Sequence, residues 1–226
     1  MLKPRLCHRW NLTPTEAIEL QRELAAQVLE TPLKVMPRIV AGADCAFSPD
    51  GRSVIAGWVV WDVIHQREIE STTATVEVSF PYVPGLLTFR EAPALLAAAR
   101  KLKVMPDLLM FDGQGRAHPR RIGIASHMGL VLDCPSIGCA KSRLCGEHKE
   151  PATARGSQVS LIDGDESIGR VVRTRRGLKP VYVSVGHRLN LNDAVKVVLL
   201  CCTKYRLPEP TRLADQLVGR VKKELE

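Results

Sequence analysis

The sequence predicts an α/β fold: a mixed sheet, opened by an antiparallel meander and continued by parallel strands, with helices on its flanks. Three observations carry that expectation. Three runs rich in β-branched and aromatic residues succeed one another between residues 38 and 78 with only short turns between them;. Leu108-Leu109-Met110-Phe111 is short and wholly apolar, the pattern of a strand buried on both faces;. Segments with helical periodicity alternate with the later strands and close the chain.

In chain order, Thr13-Pro14-Thr15-Glu16 reads as a helix start, with Thr13 as cap, Pro14 in the first position and Glu16 completing a capping box;. Leu20, Leu24 and Val28 recur at helical spacing, and Thr31-Pro32 ends the segment. Strands follow at roughly Arg38–Phe47, Ser53–Asp62 and Glu68–Val78. Pro49-Asp50-Gly51 turns the first into the second, and His65-Gln66-Arg67 the second into the third;. Such short links require antiparallel pairing. A loop at Ser79–Arg90 leads to a helix at about Glu91–Lys103 and then to the strand Leu108–Phe111. A glycine-rich turn, a helix near Arg121–Leu132 and a strand near Ser136–Ala140 come next. Residues 142–166 read as loop. Gly169–Arg173 and Pro180–Val185 form a hairpin across Arg175-Arg176-Gly177, and helices at about Asn192–Tyr205 and Thr211–Leu225 finish the chain.

The order β-β-β-α-β-α-β with helices behind it is, by analogy, that of the ribonuclease H-like fold, whose first and fourth strands lie side by side and parallel. At 226 residues the chain is long enough for one domain with a substantial core, expected to span 1–226;. Its formal charge of +8 favours a polyanionic partner;. No apolar run reaches the length of a membrane span, so no membrane partner is expected, and the first residues lack the apolar stretch of a signal peptide;. Seven scattered cysteines, an odd number, point to a reducing, cytoplasmic setting;. Cys145 and His148 have one spacing found at zinc sites, but no CxxC pair accompanies them;.

Asp44 interrupts the apolar strand Ile39–Phe47, where a charge is costly unless paired or bound to a cation;. Asp112 follows a buried strand at its carboxyl end, where open α/β sheets place their sites;. If the two strands are neighbours, the carboxylates face each other, and a divalent cation resolves their repulsion. Glu91 reads either as the cap of Thr88-Phe89-Arg90-Glu91 or as a group on the inward face of its helix. Asp215 borders the apolar stripe Ala214, Leu217, Val218, Val221 and Leu225, and an inward or a solvated position fits equally. Pro81-Tyr82-Val83-Pro84 holds an aromatic between prolines, suited to wedging into a base stack, although a packed loop aromatic has the same pattern;. In Asp112-Gly113-Gln114-Gly115-Arg116-Ala117-His118-Pro119-Arg120-Arg121, glycines permit close backbone approach, and His118 and the arginines are placed to meet phosphate;. Lys141 ends the strand Ser136–Ala140 and is placed either to neutralise a phosphate or simply at the surface;.

Taken together, these blocks resemble the endonuclease V family, the deoxyinosine 3′ endonucleases. The resemblance is carried by Gly42-Ala43-Asp44, the run Pro81–Glu91, the run Asp112–His127, Gly138–Lys141, Ser184–His187 and Pro208–Asp215, in order over nearly the whole chain. It implies a ribonuclease H-like fold and Mg²⁺-dependent hydrolysis, with Mn²⁺ as a substitute, of the second phosphodiester bond 3′ to a deoxyinosine. The lesion would stay in the nicked strand. It implies metal ligation by Asp44 and Asp112, with Glu91 as the further catalytic carboxylate and metal ligand. Lys141 would stand at the scissile phosphate, and Asp215 falls where the family carries aspartate or histidine. Tyr82, with Pro81, Val83 and Pro84, matches the wedge. Gly85, Leu86, Gly113, Ile122 and Gly138 match the pocket for the extruded base, and His118 and Arg120 the phosphate contacts. Val83 stands where isoleucine is commoner, and Ser142–Ile168 matches only loosely. The partner expected is double- or single-stranded DNA containing deaminated bases, handled by a monomer. An endoribonuclease acting on inosine in RNA and a non-catalytic binding module are the competing readings.

Overall fold

The computed structural model describes residues 2–225. The Thr13 hydroxyl accepts from the Glu16 N–H and the Glu16 carboxylate accepts from the Thr13 N–H, the capping box expected, with Pro14 first in the helix;. Helix α1 (Pro14–Ala25) ends well before Thr31. Its buried residues are Ala17, Gln21 and Leu24, and Val28 continues their line just past its end.

Strands β1 (Ile39–Phe47), β2 (Ser53–Asp62) and β3 (Arg67–Glu77) form the antiparallel meander. Strand β4 (Leu108–Phe111) runs parallel to β1, and β5 (Ser136–Ala140) runs parallel to β4. Strand β6 (Gln158–Asp163), β7 (Glu166–Val172) and β8 (Val181–His187) complete an eight-stranded sheet of order β3-β2-β1-β4-β5-β8-β7-β6. The β7–β8 hairpin is the one expected from the sequence. Strand β6 corrects the expectation of loop across 142–166. It is an edge strand in which only Leu161 is buried, so no apolar run announces it.

Helix α2 (Leu87–Ala99) starts ahead of the expected Glu91. The reason is a tight turn: Gly85 has φ +79°, and the Leu86 N–H donates to the Val83 carbonyl at 3.0 Å, so the chain enters the helix at once;. Leu86 is the N-cap and no side chain caps the helix, so the Thr88–Glu91 capping box does not form. Helix α3 (Ile124–Leu132) starts later than Arg121, because Arg121 has φ +58° and Gly123 is the N-cap. Helix α4 (Leu191–Cys201) stops short of Tyr205, and α5 (Glu209–Lys223) starts at Glu209 instead of Thr211, with Pro210 in its first turn.

One face of the sheet packs Ala41, Ala43, Ala56, Trp58 and Val60 against α2 and α3. Trp58 is fully buried, and its indole N–H donates to the Leu95 carbonyl at 2.9 Å;. The opposite face packs Val40, Leu108, Met110, Ile137 and Cys139 beneath α4. Helix α5 crosses that face over β1, with Pro210 seated on Gly42 so closely that a Cβ at Gly42 would land inside the Pro210–Thr211 backbone. Gly42→Ala should therefore push α5 off the sheet. We expect a loss on the order of 3 kcal/mol, read as a lower midpoint in urea unfolding; an unchanged midpoint would refute the close docking.

Candidate active site

Strands β1 and β4 are parallel neighbours, and β4 ends level with Ala43 while β1 runs on to Phe47, so Asp44 within β1 lies beside Asp112 just past β4. Ala43 lies opposite Phe111, and the Asp112 N–H donates to the Ala43 carbonyl at 3.3 Å. Asp44 shares the alternation of Val40 and Gly42, which turns it toward the α5 face;. Asp215 on α5 meets the Asp44 carboxyl there. Glu91 comes from α2, and together with Asp44, Asp112 and Cys45 it lines a crevice of about 10 Å³, room for a single small guest;. The Lys141 ammonium, one residue past β5, lies 2.5 Å from Asp112 and 3.4 Å from Asp215. Five residues that are far apart in sequence, Asp44, Glu91, Asp112, Lys141 and Asp215, thus share one end of the sheet.

Their electrostatics are those of crowded acids. Burial, then the neighbouring Asp112 charge, pushes Asp44 up to about 8, against the N–H of Cys45 and Lys141. Burial pushes Glu91 up to about 8, opposed by Arg90 and assisted by Asp112. Burial also raises Asp112, although its bond to Lys141 works the other way. For Lys141, burial lowers the affinity for a proton, but its bond to Asp112 and the charges of Asp112, Asp215 and Asp44 outweigh it, and the net shift is upward. One ammonium cannot neutralise four carboxyl groups, and in the absence of a cation Asp44 and Glu91 hold their protons instead of their charges near neutral pH. An oxygen-preferring divalent cation fits such a donor set. Among the described residues, however, the acidic groups converge without closing into a ligand cage.

Beside this cluster opens a cavity of about 410 Å³, a usual size for a small-ligand pocket;. Two facing walls are the Tyr82–Thr88 turn, without Leu86, and Asp112, Gly113, Gln114, His118, Gly123 and Ile124, while residues 140–144 close a third side. Tyr82 stands at the rim, 73% exposed between Pro81 and Val83-Pro84. Of the five residues expected to form the pocket, Gly85 and Gly113 line it. Leu86 and Ile122 do not: their side chains are buried in apolar clusters behind the two walls. Gly138 lies within β5, packed under the Gln114–Gly115 backbone.

His118 and Arg120 have partners inside the protein. The Arg120 N–H donates to His118 Nδ1 at 3.1 Å, so the ring proton resides on Nε2 and is donated to the Gly85 carbonyl at 3.0 Å;. Burial and the nearby Arg120 charge hold this imidazole down at about 4, hence neutral. Arg120 donates from Nε to Gln21 at 2.5 Å and from Nη2 to Gly85 at 2.8 Å. Gln21 escaped the sequence reading, although a polar residue in line with Ala17, Leu24 and Val28 was a visible signal. Arg206 also escaped it. This residue holds the Lys141 carbonyl at 2.8 Å and the Pro180 carbonyl at 2.9 Å, and nothing in the sequence marks it.

A sheet of this order, with Asp44 within its first strand beside Asp112 just past its fourth, is that of the ribonuclease H-like fold, and the relatives make the chain a hydrolase of phosphodiester bonds. The endonuclease V family model matches residues 22–216. Endonuclease V of Alkalilimnicola ehrlichii is 47% identical over 216 residues, 95% of each chain. The solved endonuclease V of Streptomyces avermitilis superposes with a TM-score of 0.92 at 43% identity, covering 98% of each chain. That of Ciona intestinalis, in complex with a 23-mer DNA containing an inosine followed by a ribo-adenosine, superposes at 0.82 with 26% identity, covering 95% of this chain and all of its own. The chain belongs to the endonuclease V family, and it is a nuclease.

Proposed function

We propose that the chain recognises deoxyinosine in DNA and hydrolyses the second phosphodiester bond on its 3′ side, with Mg²⁺ as cofactor and Mn²⁺ as a substitute. The observation that carries this reading is the meeting of Asp44, Glu91, Asp112 and Lys141 beside a base-sized cavity with Tyr82 at its rim. The inosine-containing DNA bound by the Ciona relative supports the choice of lesion. No described helix is long and apolar enough to cross a membrane.

Asp44 and Asp112 would hold the cation, with Glu91 as a further ligand. When bound, the ion would polarise the phosphate and lower the pKa of the attacking water. Glu91 and Asp215 would order that water or share a second ion. Lys141 would stabilise the charge that develops on the phosphate. Tyr82 would occupy the gap left by the extruded base, and the cavity would receive it. Extrusion costs a few kcal/mol and costs least for a mispaired base, which favours the lesion. His118 and Arg120 would act on the substrate through the Gly85 carbonyl they hold.

The second reading, an inosine-directed endoribonuclease, is favoured by the ribonucleotide that follows the inosine in the Ciona complex. Matched DNA and RNA strands with one inosine, incubated with and without Mg²⁺ and scored for cut position, separate the two. Cleavage of the DNA at the second 3′ bond, dependent on the metal, is expected; strands left intact in every condition would defeat both readings. Tyr82→Ala should weaken binding of the inosine duplex on the order of tenfold, through lost stacking, with little change in the single-turnover rate of bound substrate. Unaltered binding would remove the wedge from the mechanism.

A further inference from the structure

One carbonyl oxygen in the turn that carries Tyr82 is held from three sides. Gly85 O accepts from Gln21 Nε2 at 3.0 Å, from His118 Nε2 at 3.0 Å and from Arg120 Nη2 at 2.8 Å. Gln21 is fully buried in α1, in line with the apolar residues Ala17, Leu24 and Val28. Burying a carboxamide is costly unless its groups are bonded, and here both ends are. Its Oε1 accepts from Arg120 Nε at 2.5 Å, and its Nε2 also reaches the Ile122 carbonyl at 3.4 Å.

The residues in line with Gln21, on the helix and just past its end, divide in the same way. Ala17 packs in the cluster that contains Leu86, whereas Leu24 and Val28 pack in the cluster that contains Ile122. Helix α1 therefore lies across the backs of both walls of the cavity, and Gln21 sits at their seam. A leucine would continue the apolar stripe and bury as much surface. What only the amide supplies is a pair of N–H donors for carbonyls on two separate loops, together with an acceptor for the arginine.

We propose that Gln21 is a positioning residue for base recognition: it ties the Gly85 turn to the Ile122 segment and so sets the gap into which the extruded base fits. This rests on the reading of the cavity as the base pocket. The test compares two DNA duplexes of one sequence, one with a single deoxyinosine and one with a tetrahydrofuran abasic site, which presents no base to be read, beside the undamaged duplex as the wild-type control. Binding is measured well below the melting temperature for the wild type, Gln21→Leu and Gln21→Glu. The glutamate variant keeps the acceptor for Arg120 but lacks the donors.

Both variants should bind the deoxyinosine duplex on the order of tenfold more weakly, the effect of losing buried hydrogen bonds that set a recognition geometry. Abasic-site binding should change less than about twofold, and the loss should appear in KM more than in kcat. If Gln21→Leu fails to fold, the same ratio is read on Gln21→Glu. Equal losses on both duplexes, no loss on either, or two variants that both fail to fold make Gln21 an ordinary core residue and overturn the proposal. A wild-type protein that does not prefer deoxyinosine over the undamaged duplex overturns the base-pocket reading instead, a result visible before any variant is made.

Discussion

Asp112→Ala should nick a deoxyinosine duplex more slowly by a factor on the order of 10³ or greater, the scale of losing a group that places charge at the reacting phosphate. The change removes a proposed cation ligand and also takes from Lys141 its shorter ion pair, to Asp112 at 2.5 Å, leaving it the one to Asp215 at 3.4 Å. The fold should survive. The Asp112 side chain makes its one ion pair, to Lys141, at the edge of the site, while its backbone bond to Ala43 is indifferent to the side chain. Burial already disfavours its charged form, so its removal relieves an electrostatic cost;. Time courses of nicking and a urea melt on one preparation check both halves. Full activity would end the carboxylate mechanism, and a collapsed melt would assign Asp112 to structure.

The second large effect is a stabilisation by Mg²⁺ that depends steeply on pH. Asp44 and Glu91 are raised in the fold to about 8 from ordinary values of 3.8 and 4.5. For acids shifted upward, the contribution to stability is complete below the unfolded pKa and is lost as pH rises toward the folded one. In chelator, these carboxyls therefore weaken the protein between about pH 4 and pH 8. A cation bound at a hundred times its Kd would restore about 2.7 kcal/mol, roughly 5–10 °C in Tm for a chain of this size. Protons compete for the same oxygens, so the shift should be near its full value at pH 8.5 and nearly absent at pH 5. Asp112→Asn should show little shift at either pH.

The buried imidazoles act with the opposite sign. His127, held at about 3 by burial and then by His8, and His118, held at about 4, cost stability as pH falls below their ordinary 6.5;. They do so with or without Mg²⁺, so the difference between paired melts isolates the carboxylates. A shift independent of pH would refute the assignment.

Asp44 and Asp112 were legible in the sequence because a charge inside or just after an apolar strand is too costly to be incidental. Short turns made the meander legible, but the convergence of the two acids came only by analogy with the ribonuclease H-like fold, because periodicity does not say which strand β4 lies beside. Glu91 was ambiguous for a physical reason. Thr88 and Glu91 have the spacing of a capping box, but the Pro84-Gly85 turn starts the helix earlier and carries Glu91 into its second turn. Strand β6 stayed hidden because an edge strand need bury little. Gln21 was passed over because Leu20 stands beside it with nearly the same periodicity, and only the packing shows that Gln21 faces inward while Leu20 is half exposed. Leu86 and Ile122 belong to the cavity's support and not to its lining, a distinction that motif spacing does not carry.

The placement of α5 has a consequence in time. Asp215 and the Pro210 contact on β1 both belong to the last of the described elements, whereas Asp44 belongs to the first strand. A chain emerging from the ribosome N-terminus first exposes the meander, then β4 and β5, long before residues 209–223 exist to cover them. The carboxylates meet their full complement only after residues 209–223 have been made. A growing chain of this architecture therefore holds Asp44, Glu91 and Asp112 for the whole time it takes to make the residues up to 209 before Asp215 can join them.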